Sequence, residues 1–199
     1  MSEQDLPSGF APITEEQIRA ATIGEPRLHE GRILLVDYDP RWPEQFEREA
    51  AAIRVALGER ALRLEHVGST SVPGLAAKPI IDILLVVADS ADESSYVPAM
   101  EAAGYVLRIR EPDWYEHRLF KGPRVDVNVH VFSADSGRPE IERMLLFRDW
   151  LRTNAAARER YLRTKRELAE REWKFTQNYA DAKTEVIEAI IAQARNRRP

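Results

Sequence analysis

His66-Val67-Gly68-Ser69-Thr70-Ser71-Val72-Pro73-Gly74-Leu75-Ala76-Ala77-Lys78-Pro79-Ile80-Ile81-Asp82-Ile83-Leu84-Leu85-Val86-Val87 is the stretch on which the reading of the fold turns. It reads as the end of one strand, a small hydroxyl-rich turn, and a second strand whose apolar run from Ile80 to Val87 is interrupted by one carboxylate, Asp82. A glycine lets the backbone approach an anion closely, and successive N–H groups around a Gly-Ser turn form a concave donor surface that Ser and Thr hydroxyls extend. Gly68, Ser69 and Thr70 are therefore candidate phosphate ligands. Asp82 stands in a hydrophobic run, where an ionised side chain is costly unless it is paired or bound to a metal. A structural ion pair and a functional carboxylate both remain open at this point. Lys78, just before the Pro79 that fixes entry to the strand, can neutralise a triphosphate or simply lie solvated on a loop.

Working upstream, Leu62, Leu64 and His66 alternate with Arg63, Glu65 and Val67, which predicts a half-exposed strand running into the turn. Phe46, Ala50, Ile53 and Leu57 recur at helical spacing with Gly58 as a stop. Ile33 to Val36 reads as a short strand, and Gly24 to Gly31 as a linker. Thr14-Glu15-Glu16-Gln17 has the spacing of a capping box, predicting a helix through Ala21. The first ten residues, with Pro7, Ser8 and Gly9, read as flexible.

Downstream, the Ile80–Val87 run is apolar on both faces apart from Asp82, as expected of a central strand covered on both sides. A helix is expected over 96–103, with Pro98 in its first turn and Gly104 at its end. Strands follow over 105–110, 114–120 and 124–132, the last two joined by a hairpin at Lys121-Gly122-Pro123. The remainder is helical, with amphipathic stretches on Ile141, Leu145, Phe147 and Leu151, on Tyr161, Leu162, Lys165 and Leu168, and on Val186, Ile187, Ile190 and Ile191. The expectation is an α/β fold: residues 1–30 as an extension carrying a short helix, then one domain over 31–199. Its mixed sheet is flanked by helices to about residue 137, with a helical part over about 138–197.

The chain has 199 residues, 44% hydrophobic and 31% charged, a composition of folded rather than disordered proteins. A net charge of -4 gives no overall attraction to nucleic acid or anionic lipid. With no cysteine, disulfides, thiolate catalysis and Cys-ligated zinc are excluded. The opening MSEQDLPSGF lacks a hydrophobic signal core, and no apolar run approaches the ~20 residues that cross a bilayer. A cytoplasmic protein without membrane contact is the simplest expectation.

Further candidates lie outside the turn. On the 124–132 strand, Val125, Val127, Val129 and Val131 share one face and Asp126, Asn128 and His130 the other, so three polar side chains can line a cleft or merely face solvent. His66 can contact a phosphate, carry a proton, or hydrogen-bond a backbone carbonyl. Glu116, His117 and Arg118 supply acid, base and cation in succession, but on a strand only Glu116 and Arg118 can serve one site. Tyr179 and Lys183, four apart, fit a structural pairing on one helical face.

The run from Glu65 to Ile83 closely resembles the signature of the GrpB family. The resemblance extends upstream to Val36-Asp37-Tyr38-Asp39-Pro40-Arg41-Trp42-Pro43 and downstream to Leu145-Leu146-Phe147-Arg148-Asp149-Trp150-Leu151-Arg152 and the Tyr179–Lys183 segment, about residues 33 to 195. GrpB proteins are similar to the nucleotidyltransferase superfamily that includes polymerase β, and in some bacteria a GrpB-like domain is fused behind dephospho-CoA kinase. The resemblance implies the mixed-sheet nucleotidyltransferase fold and an enzyme that moves a nucleoside monophosphate from a triphosphate to an unknown acceptor, with magnesium as cofactor. In that superfamily a Gly-Ser pair binds phosphate, two acids spaced one residue apart on a strand hold magnesium, and a third acid comes from a neighbouring strand. Carried over, Gly68 and Ser69 match the pair and Asp82 the first acid. The second position is Leu84. Two-metal transfer relies on carboxylates bridging cations, so Asp126, or Glu116, is needed to complete the set. Asp82 and Asp126 are thus the expected catalytic and metal residues, Gly68, Ser69, Thr70, Lys78 and Arg118 the expected phosphate ligands, and His66, Glu116, Asn128 and His130 an additional set. Leu84 also leaves open a non-catalytic module that binds a nucleotide or coenzyme-like ligand.

Overall fold

The computed structural model describes residues 12–26, 28–29 and 32–197. The stretch read as flexible at the start of the chain lies outside them, as does part of the 24–31 linker. Five strands form one mixed sheet in the order β1-β2-β5-β4-β3: β1 Arg63–Val67, β2 Ile81–Val87, β3 Val106–Glu111, β4 His117–Lys121 and β5 Val127–Ser133. Only β2 and β5 are parallel, with Asp82 opposite Asn128 and Leu84 opposite His130; the other three pairings are antiparallel. A parallel pair needs a crossover. Here it runs through a helix, α3 Val97–Ala102, and the β3–β4 hairpin.

Seven helices are described: α1 Glu15–Ala21, α2 Trp42–Leu57, α3, α4 Arg138–Thr153, α5 Ala155–Ala169, α6 Thr176–Asp181 and α7 Thr184–Asn196. The capping box is present, with Gln17 N–H donating to Thr14 Oγ1 and Thr14 N–H to Gln17 Oε1. α1 docks on the edge of β3, where Ile23 N–H donates to the Arg108 carbonyl and Ile18 is buried. α2 buries Trp42, Phe46, Ala50, Ile53 and Leu57 and ends on Gly58. This stripe packs on Ile81, Ile83, Leu85, Val127, Val129 and Val131. Burying each large side chain there contributes about 1.5–3 kcal/mol. The opposite face of the sheet is covered by α4, with Ile141, Met144 and Leu145 on Val67, Leu84, Val86 and Phe132. β2 is thus buried on both faces as its composition requires.

Three predicted strands are shorter or unformed in the structure, the 124–132 strand beginning only at Val127. Ile33 to Val36 makes only single bridges, Arg32 to Glu172 and Val36 to Ala77. Its apolar residues instead join a small cluster in which Ile33 packs with Leu168, Ala169 and Tyr179. The 114–120 strand begins at His117, because Tyr115 and Glu116 take positive φ (51° each) in the turn leaving β3. The C-terminal helices α5 and α7, through Tyr161, Val186 and Ile190, pack together with Leu151 of α4 onto Val72 and Leu75 of the glycine-serine segment, bringing the C-terminal helices to the turn after β1. None of the described helices is long and apolar enough to cross a membrane.

Candidate active site

The turn after β1 is held from several sides. Gly68 begins a single 3-10 turn over Ser69–Ser71, and both the N–H and the hydroxyl of Ser71 donate back to the Gly68 carbonyl. Arg148 on α4 bridges to Glu65 (2.7 Å) and donates to the His66 carbonyl, while Arg152 donates to the Ser71 carbonyl. Burial would raise the Glu65 carboxyl, but Arg148 and Arg63 outweigh it and hold it below the usual range. Gly68 sits at φ 67° and ψ -171°, a conformation that side-chain-bearing residues rarely adopt, and its backbone lies directly against Asp82.

Asp82 Oδ1 accepts from Asn128 Nδ2 at 2.8 Å and lies 3.7 Å from His130 Nε2; its side chain is 25% exposed. Among the described residues no arginine pairs with it. Burial would raise this carboxyl, but His130, Asn128 and Lys121 together hold it below its ordinary value, so it is ionised. His130 Nδ1 in turn lies 3.1 Å from His117 Nε2, and His117 Nδ1 2.7 Å from Glu111. Burial is the main reason His117 falls to about 4, leaving it neutral.

Three lysines lie within electrostatic reach of the same carboxylate. Lys165 on α5 is 2% exposed and donates to the Ala76 carbonyl. Burial and then Lys183 lower its ammonium to about 7 against the attraction of Asp82. Lys183 is lowered to about 8 by burial and by Lys78, and Lys78 is itself lowered by burial and Lys121. Among the described residues none of these three is in an ion pair with an acid. Tyr161, buried and with Ser69 beside its hydroxyl, and Tyr179, whose buried hydroxyl has no hydrogen-bond partner among the described residues, complete the wall.

The sequence-predicted residues divide between this cleft and other places. Gly68, Ser69, Lys78, Asp82, Asn128 and His130 belong to it. Thr70 is 1% exposed with its hydroxyl donating to the Ile80 carbonyl and facing His66 Nε2, so it braces the turn from inside. His66 is correspondingly structural: it stacks on Phe46 at 4.9 Å, and burial lowers it to about 4. Asp126 lies just before β5, 56% exposed and paired to Lys121 at 3.0 Å. Arg118 points to the α2 face of the sheet, opposite Asp82, and pairs with Glu93, whose carboxyl Arg110 and Arg118 pull down to about 2. Glu116, on the Tyr115–Glu116 turn, accepts from Ser136 at 3.3 Å. Among the described residues no three His, Cys, Asp or Glu side chains stand close enough to hold one metal ion, so Asp82, Asp126 and Glu116 form no carboxylate triad. Leu84 is fully buried against α4.

The GrpB protein family pattern matches residues 32–193, spanning the turn, the sheet and the C-terminal helices. The chain belongs to the GrpB family. A UPF0157 protein of Halalkalibacterium halodurans is 59% identical over 187 residues, covering 94% of this chain and 95% of its own length. The crystal structure of the conserved protein GrpB from Enterococcus faecalis superposes with a TM-score of 0.71 at 37% identity, covering 81% of this chain and 96% of that one. A dephospho-CoA kinase of Mycolicibacterium paratuberculosis is 34% identical over 70% of this chain, which spans 40% of the kinase. At the level of fold alone, the Cid1 poly(U) polymerase bound to MgGTP superposes with a TM-score of 0.50 at 13% identity, covering 68% of this chain and 45% of that one. The GrpB sheet is thus nucleotidyltransferase-like.

Several members of the GrpB cleft escaped the sequence reading. Lys165 falls in a helical stripe with Tyr161 and Leu168, where spacing calls for an apolar residue, and a lysine in such a stripe was the available signal. Tyr179 and Lys183 do not share a helix: the chain breaks at Ala182 and Lys183 caps α7, yet its ammonium lies 4.1 Å from the Tyr179 ring. Glu111 had no local signal, and His117, noted in the Glu116–Arg118 run, was passed over for its neighbours; strand pairing is what places the two in line with His130. A cavity of about 370 Å³ lined by His66, Ser71, Phe46, Tyr38, Arg148 and Arg152 opens beside the turn, without Asp82 in its wall.

Proposed function

We propose that the cleft between the Gly68–Ser69 turn, Asp82 and the C-terminal helices binds the phosphate chain of a nucleoside triphosphate, and that the protein transfers the nucleoside monophosphate to an acceptor. The observation that carries this reading is that Lys78, Lys165 and Lys183, unpaired among the described residues, are partly or fully buried within electrostatic reach of one carboxylate beside an anion-suited turn. Cations half removed from water are costly alone and favourable once a polyanion supplies the opposing charge. The backbone at Gly68, the Ser69 hydroxyl and the Tyr179 hydroxyl, unpartnered among the described residues, offer further donors. The nucleotidyltransferase-like sheet supports the same reading at the level of fold.

Magnesium belongs to this reading through Asp82. A three-carboxylate set does not fit the residues present, but magnesium is commonly held by one or two carboxylates together with substrate phosphates. Asp82 satisfies that lesser requirement, and the ion would there offset charge on the departing pyrophosphate. The chain's own part is to cradle the phosphates on the turn and to neutralise them with the three lysines. Incubation with magnesium, each of the four labelled nucleoside triphosphates and a panel of hydroxyl and amine acceptors tests it. Pyrophosphate release that disappears in Asp82→Asn is expected; no release with any nucleotide sinks the transfer reading.

Leu84 favours a second reading, a binding module without chemistry. Its side chain is fully buried among Val67, Val86, Phe132 and Ile141, where the second acid of a transferase would stand. The relatives named dephospho-CoA kinase, in which this domain is one part, make a coenzyme-like ligand a natural candidate. Thermal stabilisation by nucleotide that ignores both magnesium and Asp82→Asn would select this reading.

A further inference from the structure

We propose that the divalent cation of this cleft is zinc or manganese rather than magnesium, held between Asp82 Oδ1 and His130 Nε2, with His117 and Glu111 as the positioning residues behind His130. The inference deepens the triphosphate reading, because it names the ion and its second ligand.

It starts from the direction of the hydrogen bonds. The Glu111 carboxylate can only accept, so the 2.7 Å contact makes His117 Nδ1 the donor. The His117 side chain is 4% exposed, with its Nδ1–H directed at Glu111. With that proton given to Glu111, His117 Nε2 is an acceptor, and His130 Nδ1 must donate to it across 3.1 Å. A metal binds imidazole through a ring lone pair, and with Nδ1 turned to His117 the nitrogen left for it is Nε2, which faces Asp82 Oδ1. At 3.7 Å the two are too far apart for a hydrogen bond. They are well spaced for a shared ion, since two metal–ligand bonds of about 2.1 Å span that gap with an open angle between them.

The surroundings have the form expected behind metal ligands. A histidine ligand commonly donates its other nitrogen to a fixed acceptor that sets its tautomer and orientation, and a ligating carboxylate is itself hydrogen-bonded. His130 donates to His117, and Asp82 accepts from Asn128 at 2.8 Å. An imidazole nitrogen beside a carboxylate suits zinc; manganese shares the carboxylate preference of magnesium, and the nitrogen is what would set those two apart. With only two protein ligands, the remaining positions fall to water and to phosphate oxygens.

The test uses the full chain without nucleotide. Long-range proton–nitrogen spectra of nitrogen-15-labelled protein report the ring nitrogens of His130 during titration with zinc chloride, and manganese binding is followed by electron paramagnetic resonance with magnesium as competitor. The expected result is a zinc-induced shift at His130 Nε2 and manganese affinity about ten-fold or more above that of magnesium, with Glu111→Ala weakening binding by about ten-fold through loss of the tautomer. His130→Asn should bring manganese down to the magnesium level, with circular dichroism confirming that it is folded. An unmoved His130 ring, equal affinities for both ions, or no ion bound at all overturns the inference; the first of these needs no variant. Metal binding without pyrophosphate release would leave this inference standing and sink transfer, whereas magnesium-driven transfer indifferent to His130→Asn would do the reverse.

Discussion

A Cβ added to Gly68 would stand 2.3 Å from Asp82 Oδ2 and 2.9 Å from its Cβ. The turn and the carboxylate are therefore in direct backbone-to-side-chain contact, and the phosphate-suited bend cannot move without moving the acid. Gly68→Ala should displace Asp82 and also force a residue with a side chain into a backbone region that is almost exclusively glycine's. A loss of about 1–3 kcal/mol in urea unfolding is expected from the backbone alone. Triphosphate binding should fall with it; a variant as stable as wild type would show that the contact is slack.

Lys165 links stability to pH with a definite sign. Its folded value, about 7, lies below the ordinary 10.5, so between those limits the unfolded chain binds more protons than the folded one. Stability from this group therefore rises as pH increases from about 7 toward 10.5, and Lys183 adds the same trend from about 8. Lys165→Met removes the buried ammonium, and melting curves should show a raised midpoint at pH 7 with a flatter alkaline rise. The same variant should lose inorganic triphosphate binding, the exchange of function for stability expected where charge is held for a ligand.

His66 and His117 act at the acid side. Both fall from 6.5 to about 4 chiefly through burial, so protonation is easier in the unfolded chain. The fold should lose stability as pH drops from about 6.5 to 4 and change little from this source outside that window. Denaturant midpoints measured at half-unit pH steps check it, and His66→Gln should flatten the slope by the share of one histidine.

Restoring the missing acid should fail. Leu84→Asp places a carboxylate in a fully buried position between the sheet and α4, among Val67, Val86, Phe132 and Ile141. A loss on the order of 3–5 kcal/mol is expected for an uncompensated buried charge. Calorimetry decides: a stable Leu84→Asp protein that gains magnesium-dependent pyrophosphate release would mean that the site is one substitution from the superfamily pattern.

Much of the fold was legible because its signals are local. The capping box at Thr14 and Gln17, the α2 stripe ending on Gly58, the two-sided burial of β2 and the alternation of Val127, Val129 and Val131 each follow from spacing and appear in the structure. The Ile33–Val36 strand did not form, because an aliphatic run can be buried as well by helices as by a ladder. Asp126 and Arg118 looked equal to Asp82 and Lys78 in sequence, yet one pairs with Lys121 in solvent and the other with Glu93 across the sheet.

By itself the sequence determined the elements, the glycine-serine turn and the lone acid at Asp82, since these depend on neighbours within a few residues. Which side chains share a space with that acid was decided only by tertiary structure. The parallel β2–β5 register set His130 beside Asp82, and the packing of α5 and α7 on Val72 and Leu75 delivered Lys165 and Lys183 from about a hundred residues away. Strand register and helix docking are fixed by the summed burial of many apolar residues, so the polar groups they carry into one cleft have no signature of their own in the chain.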